Sequence, residues 1–379
     1  MKNFKIFFKA KWEFFPPKKR ALLIYDGNNN PFSELMNRYD FNILYTRGEK
    51  LNLTILILCF FKKKFNSNNY IKEYLRFAKP KLVLTFIDNN PKFYGIHKYG
   101  SFKTAFVQNG IRTKFSDIFS DKYKVIVNKK NKKNFKVDFM FVFNSKIGKL
   151  YNSFIKGNAI SIGSFKNNLS KINNKKENKI LIISTFRDYK KDRLVDDGIN
   201  WGEFTKNDDF FVKWLVCFAN KYKIKIDVLG RYSLSQTKKE FTYFKKFFGK
   251  NNFNFIENDI KKSSHKVIDK YKYCFTIDST LGIENLVRGG RVGFFSNRSN
   301  KYPIISRKFG WMEKFKKKGL FWTYENDKKE LERIFKTVVF SDQKKWNSLT
   351  KKYQKNIMSY DFNNVKFNKI VNKILNKYK

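Results

Sequence analysis

Polar residues able to hold or transfer a phosphorylated ligand recur in this chain directly after short apolar runs. Asp26-Gly27-Asn28 follows Ala21–Tyr25, Asp88-Asn89-Asn90 follows Leu84–Phe86, and Gln108-Asn109-Gly110-Ile111-Arg112 follows Ala105–Val107. Further along, Ser184-Thr185-Phe186-Arg187, Gly230-Arg231, Asp278-Ser279-Thr280 and Ser296-Asn297-Arg298 each follow another such run. Arg47-Gly48-Glu49 precedes an apolar stretch and lines the same expected rim. Carboxylates there could take a proton, and hydroxyls and guanidinium groups could hold phosphate oxygens. Asp, Asn and Gly also recur after strands for turn reasons alone, so one such loop is ordinary. It is their repetition at strand ends that points to a site, since open α/β sheets bind ligands beyond the carboxyl ends of their strands.

The most informative segment runs from Tyr273 to Phe295 and reads as strand, tight polar turn, helix, glycine stop, strand. Ser279 and Thr280 then open a helix, where unpaired N–H groups and the positive end of the macrodipole receive phosphate. Gly282 follows in the same turn. Glu284 lies about one turn further in, within reach of ribose hydroxyls from that helix end, and Gly289 and Gly290 stop the helix. Asp278 and Ser279 also suit simple helix caps, and Glu284 a surface acid; a cap residue can serve both purposes. The two histidines are His97, in an aromatic loop with Phe93, Tyr94 and Tyr99, and His265, in Ser263-Ser264-His265 near the phosphate turn. Isolated cysteines and unclustered carboxylates give no transition-metal spacing, so no metal is expected.

The elements that must position these groups alternate between short apolar runs and amphipathic stretches, the rhythm of an α/β protein with parallel sheets. In the first half, strands are expected at Ala21–Tyr25, Leu53–Leu58 (or a helix there), Lys81–Phe86, Thr104–Val107, Asp138–Phe143 and Ala159–Ile162, with a helix from Ser145. Residues 166–178 are almost purely Asn, Lys and Ser and read as a linker. A second unit follows, with strands near Lys179–Ile183, Ile224–Leu229, Phe253–Ile256, Tyr273–Ile277 and Arg291–Phe295. Its helices fall at Asp208–Tyr222, Lys238–Phe248, Ser264–Tyr271 and Leu281–Arg288. The expected organisation is a basic tail (1–20), a first Rossmann-like domain (21–165), the linker, a second Rossmann-like domain (179–325) and C-terminal helices (326–379). Those helices cap the chain or cross back over the first domain, and a cleft is expected between the two domains. Phe244, Phe247 and Phe248 on one helix read as core, with membrane docking the lesser alternative.

The 379 residues are enough for two such domains at roughly 150 residues each. With 42% hydrophobic and 30% charged residues the chain is neither disordered nor collagen-like. The strongest apolar run, Leu51–Phe61, is too short to span a bilayer. The first 20 residues mix basic and aromatic side chains without the apolar core of a secretory signal. With three scattered cysteines, this argues for a cytoplasmic protein, free or peripheral on the inner membrane face. Lys and Arg number 81 against 32 Asp and Glu, a net charge of +49. A/T-rich codons for Lys, Asn, Phe, Ile and Tyr would give such a composition whatever the function. The charge is spread along the chain, so a nucleic-acid partner is not expected; loose attraction to an anionic membrane surface fits better.

Five blocks now carry a resemblance: Arg47-Gly48-Glu49, Thr85-Phe86-Ile87-Asp88-Asn89, Gln108-Asn109-Gly110-Ile111-Arg112, Ile162-Gly163-Ser164-Phe165, and Asp278-Ser279-Thr280-Leu281-Gly282-Ile283-Glu284 with Arg288-Gly289. Together they resemble bacterial surface-carbohydrate biosynthesis proteins of the GT-B glycosyltransferase type, over roughly residues 20 to 325. The last block is similar, more distantly, to the Asp-x-Ser-Ser turn of CDP-glycerol glycerophosphotransferases. The resemblance implies a nucleotide-activated donor on the second domain, a glycan or lipid-linked acceptor on the first, and no resident cofactor or metal. Leaving-group charge then falls to Ser279 and Thr280 with Arg187 and Arg231, and Asp278, Gly282, Glu284 and His265 complete the donor set. Asp88 is the first choice for the base, with Glu49 and His97 as alternatives, and Asn109 and Arg112 face the acceptor. The expected activity is glycosyl transfer to a surface polysaccharide or lipid-linked glycan. Transfer of a polyol phosphate from a CDP donor is the alternative, and a non-catalytic nucleic-acid-binding module a further one.

Overall fold

Apolar runs too short for helices and bounded by turn residues pair into two parallel sheets. The computed structural model describes residues 10–27, 31–112, 118–119, 132–170, 176–187, 202, 205–232, 237–249, 253–258, 263–298, 308–311 and 313–376. Fifteen strands are present among them: β1 Lys11–Glu13, β2 Leu22–Tyr25, β3 Phe41–Leu44, β4 Lys50–Asn52, β5 Leu82–Thr85, β6 Lys103–Val107, β7 Lys136–Val142, β8 Lys156–Ser161, β9 Glu177–Ile183, β10 Ile226–Leu229, β11 Phe255–Ile256, β12 Tyr271–Thr276, β13 Arg291–Phe295, β14 Lys318–Gly319 and β15 Trp322–Thr323. The chain divides into two compact units. One comprises 1–109, 124–166 and 363–379, the other 110–123 and 167–362.

In the first unit six strands lie in the order β3-β2-β5-β6-β7-β8, all parallel. β2 and β5 are buried along their whole length, as expected of strands covered on both faces. The chain moves from β2 outward to β3 and then returns to the other side of β2 at β5. The switch point therefore lies between the ends of β2 and β5. Leu22, Ile24, Leu82, Leu84, Ala105 and Phe141 form a core closed by the last helix, Val365–Asn376. That helix supplies Phe367, Val371 and Leu375, spaced i, i+4, i+8 on one face. Phe367 stacks on Phe32 at 5.8 Å and meets Phe141 edge-on at 4.9 Å.

The second unit holds seven strands in the order β11-β10-β9-β12-β13-β15-β14, parallel except for the β14–β15 hairpin. The same logic puts its switch point between β9 and β12. Helices Lys328–Phe340 and Gln343–Ile357 belong to this unit, burying Leu331, Ile334, Phe335 and Trp346. Phe244 and Phe248 are buried in it, with Phe247 half-buried.

Several expectations are corrected. Leu53–Phe61 is a helix, started by Asn52, whose side chain accepts from the Ile55 amide at 3.2 Å. A continuous apolar run fits strand or helix equally, and the cap decides. Part of the expected basic tail forms β1, paired in parallel with β4. The expected linker opens with a short helix, Phe165–Asn168, and ends inside β9; residues 171–175 lie outside the described residues, as do Asn28 and residues 1–9. Gly110–Arg112 cluster with the second unit, not the first. Strands β3, β14 and β15 and the helix Ser67–Ala78 were not anticipated. Among the described residues no helix is long and apolar enough to cross a membrane.

Candidate functional site

At the switch point of the second unit, three strands end in polar loops. β9 passes from the buried run Ile180–Ile183 into Ser184-Thr185, β12 into Ile277-Asp278-Ser279, and β13 into Ser296-Asn297-Arg298. Ser279 caps the helix Thr280–Val287 with extended backbone, its hydroxyl accepting from the Leu281 amide at 3.2 Å. This places Thr280 and the first-turn amides at the strand ends. Gly282 is where that helix presses on the sheet. A Cβ there would lie 2.7 Å from Thr276 Cγ2 and 3.2 Å from a Phe294 ring carbon. The missing Cβ therefore allows close packing of helix on sheet. Gly289 ends the helix at φ +88, a left-handed stop as expected.

Arg298 ties the three loops together, with its side chain only 2% exposed. Nη1 donates to Asp278 Oδ1 at 3.1 Å, Nε to Asp208 Oδ1 at 3.1 Å, and Nη2 to both Asp208 Oδ2 and the Thr185 carbonyl, the latter at 3.0 Å. One guanidinium thus serves two carboxylates, Asp208 buried and Asp278 half-buried. Burial pushes the Asp208 carboxyl up to about 6, against the pull of Arg298 and with the push of Asp278 and Asp209. A second buried acid, Glu240, performs the same task with backbone donors. It accepts from Ser184 Oγ, from the Arg231 amide at 2.9 Å and from the Tyr232 amide at 3.2 Å. Its carboxyl is also raised, chiefly by burial.

Arg187 is half-buried on the loop after β9 and Arg231 is exposed after β10. Arg231 Nη1 donates to the Phe186 carbonyl at 3.1 Å, which joins those two loops. His265 and Glu284 meet directly, Nε2 to Oε2 at 2.9 Å, with both residues buried. With Glu284 ionised, His265 Nε2 carries the hydrogen and donates it. The Glu284 carbonyl accepts from Asn167 Nδ2 at 3.1 Å.

The candidates of the first unit are arranged differently. Asp88 is 0% exposed. Its Oδ1 accepts from the Asn109 amide at 3.1 Å, its Oδ2 from the Tyr151 hydroxyl at 2.5 Å, and its carbonyl from the Tyr94 hydroxyl. Asp88 and Asn109 are thus brought together, but with Asp88 as an anchor of the turn after β6. Glu49 is half-buried just before β4, and His97 is half-buried on the short 3-10 turn Ile96–Tyr99, its Nδ1 3.1 Å from the Tyr94 carbonyl. At the switch point itself, Asp26 is buried at φ +63 with Oδ2 accepting from Arg47 Nε at 3.2 Å. A left-handed aspartate at a strand end is stored strain. Arg112 clusters with the second unit, and its carbonyl accepts from the Trp311 indole at 2.8 Å.

Sequence reasoning did not assign Asp208, Glu240 and Arg298 to the site. Only the position of Arg298 after a strand signalled it. Asp208 and Glu240 sit inside helices, where an acid ordinarily reads as solvated.

A family model described as "putative O-antigen biosynthesis protein" matches residues 105–375, more than two thirds of the chain. No curated protein matches the sequence. Among solved structures the chain is similar to the wall teichoic acid polymerase TagF soaked with CDPG, at 12% identity and TM-score 0.54, covering 95% of this chain and 90% of that one. It is also similar to a Listeria monocytogenes protein described as "putative UDP-N-acetylglucosamine 2-epimerase", at 13% identity and TM-score 0.53, covering 95% and 98%. A third is MnaA of S. aureus with UDP, at 13% identity and TM-score 0.51, covering 95% and 97%. These likenesses and the two switch-point sheets make the architecture GT-B type, with two Rossmann-like domains.

Proposed function

From the premise that this chain belongs to the family of O-antigen biosynthesis proteins matched over residues 105–375, we propose that it is a GT-B glycosyltransferase. It moves a sugar from a nucleotide-activated donor to a growing surface polysaccharide or lipid-linked glycan at the inner membrane face. The observation that carries the reading is the network of Asp208 and Asp278 around the buried Arg298, which fixes three loops around the helix N-terminus of the second unit.

The donor diphosphate is received by the Ser279-Thr280 turn, where first-turn amides and the helix dipole favour negative charge. Arg298 is held by two carboxylates, so the positive charge offered to the donor comes from Arg187 and Arg231 at the rim. These groups supply the neutralisation of the leaving group without a metal step. The His265–Glu284 pair holds the ribose, with Glu284 oriented by the imidazole hydrogen bond. In the first unit both Asp88 oxygens are taken, so Asp88 positions Asn109, and the proton of the attacking hydroxyl passes to Glu49 or His97. A second reading keeps the same site for a CDP-polyol phosphate donor, favoured by the likeness to TagF soaked with CDPG.

A melting-temperature screen with UDP, GDP, ADP, CMP, CDP and dTDP, followed by transfer assays with the matching nucleotide sugar, tests the reading. A bound nucleotide at 100 times its dissociation constant adds about 2.7 kcal/mol of stability, and Glu284→Ala abolishes that gain. CDP or CMP alone raising the melting temperature moves the assignment to the polyol phosphate reading. Interconversion of a nucleotide sugar without any acceptor overturns transfer altogether.

A further inference from the structure

The helix Leu53–Phe61 has the sequence of a core helix and the burial of a surface one. Thr54 and Cys59 are its only departures from Leu, Ile and Phe, yet only Ile55 and Cys59 are buried. Phe60 is 69% exposed and Phe61 76%, and Ile57 and the following Phe65 are exposed as well. A helix apolar all round belongs inside a protein or against lipid.

The N-terminal segment extends this face. β1 pairs with β4 immediately before the helix, the Phe14 carbonyl accepts from Thr54 Oγ1 at 2.6 Å, and the Phe15 carbonyl accepts from Asn52 Nδ2 at 2.6 Å. These bonds hold Phe14 and Phe15 at the helix start with their rings in solvent, Phe15 at 86% exposure. Trp12 is exposed beside them. The aromatic groups alternate with cations. Lys18, Lys19 and Arg20 follow Phe15, and Lys62, Lys63 and Lys64 follow Phe61. The acids nearby are spent on ion pairs, Glu13 with Lys50 at 2.8 Å and Glu73 with Lys62 at 2.6 Å.

We propose that this aromatic and lysine-rich face of the first unit, built from residues 11–20 and 53–65, docks the protein on an anionic lipid bilayer. Charge selects the occupant. A second copy of the chain brings its own +49 and sets lysine against lysine, whereas an anionic leaflet complements every exposed cation on the face. Length excludes insertion across the bilayer: nine residues span about 13 Å against a hydrocarbon core of about 30 Å. The helix therefore lies in the interface plane, its rings at the headgroup boundary and its lysines among the phosphates. The proposal locates the membrane contact that the transfer reading calls for, and it rests on that reading for its purpose only. Its test reads vesicle affinity, which succeeds or fails whatever the donor.

Phosphatidylglycerol-rich vesicles are titrated with the full chain, with phosphatidylcholine vesicles as the uncharged control. The wild-type chain binds the anionic vesicles more tightly. Phe15→Ser/Phe60→Ser/Phe61→Ser weakens that binding by at least about tenfold, with the melting temperature unchanged because all three rings are already in water. Lys18→Gln/Lys19→Gln/Lys64→Gln weakens binding to anionic vesicles by about tenfold or more and leaves the uncharged control unaltered. Unchanged vesicle affinity in the aromatic variant overturns the proposal, as does a wild-type chain that ignores phosphatidylglycerol. A wild-type dimer in sedimentation velocity that the aromatic variant loses assigns the face to self-association and overturns it too. Should the aromatic variant fail to fold, the lysine variant decides: full affinity for anionic vesicles then sinks the idea.

Discussion

The two units solve the same topological problem with opposite electrostatics. Each has a parallel sheet whose strand order reverses beside its first strand, and each puts polar residues in the resulting crevice. In the second unit those residues are locked by buried charges: Arg298 between Asp208 and Asp278, and Glu240 beneath two loop amides. In the first unit two neutral donors, the Tyr151 hydroxyl and the Asn109 amide, hold Asp88, and the residue at the switch point, Asp26, is strained and pairs with an exposed arginine. A buried charge network is costly to break and holds one geometry; neutral donors and an exposed ion pair yield more readily. The difference suits a rigid donor site on one unit and an adaptable acceptor side on the other.

The comparison is broken most severely by Arg298→Met. It takes the guanidinium from the buried Asp208 carboxylate, and urea denaturation should show a loss of about 3–5 kcal/mol. A loss under about 1 kcal/mol would mean that the network does not fix the loops. Asp88→Asn is the matched change in the first unit. It removes one acceptor from a neutral lock and should cost about 1–3 kcal/mol, less than the arginine change in the same assay. If Asp88→Asn costs more than Arg298→Met, the contrast between the units is inverted.

Asp26→Gly sharpens the point from the other side. Glycine accepts φ +63 without strain, and the lost pair with Arg47 is worth little because that arginine is 59% exposed. Stability should hold or rise by about 1 kcal/mol while transfer activity falls, since strain kept at a strand end serves the site. A clear loss of stability would show Asp26 to be structural instead.

A further test lies in the pH dependence. The Asp208 carboxyl stands at about 6 in the folded chain, above its ordinary 3.8. Between those values the folded state keeps a proton that the unfolded state has released, so this group's stabilisation is present below about pH 4 and fades as pH rises through about 6. Melting curves of Asp208→Asn should lack that fall relative to wild type. An identical slope in both proteins would assign it to other groups.

Most strands of both sheets were legible because short runs of Leu, Ile, Val and Phe bounded by Gly, Asn and Asp favour that state. β3 escaped notice because Asn42 interrupts a four-residue run, too short to show a period. The helix Ser67–Ala78 did carry its signal in Ile71, Tyr74, Leu75 and Ala78, masked by the polar residues of its outer face. Leu53–Phe61 shows the limit most clearly. Its residue types allow strand or helix, predict burial, and give no hint that both Phe60 and Phe61 stand in water. The helix rich in phenylalanine that drew attention, Thr237–Phe248, packs Phe244 and Phe248 inward instead.

The sequence alone determined the alternation of strands and helices, and with it the parallel sheets, the two units and the polar loops at their strand ends. Periodicity and turn chemistry are local, and local information is enough for those. Tertiary structure alone decided which charges meet. Asp208 and Arg298 are 90 residues apart, Asp88 and Tyr151 are 63 apart, and His265 and Glu284 come from different helices. Whether a carboxylate becomes a base, an anchor or half of an ion pair depends on the donors that folding places against it and the water that burial removes, and neither is written in its neighbours along the chain.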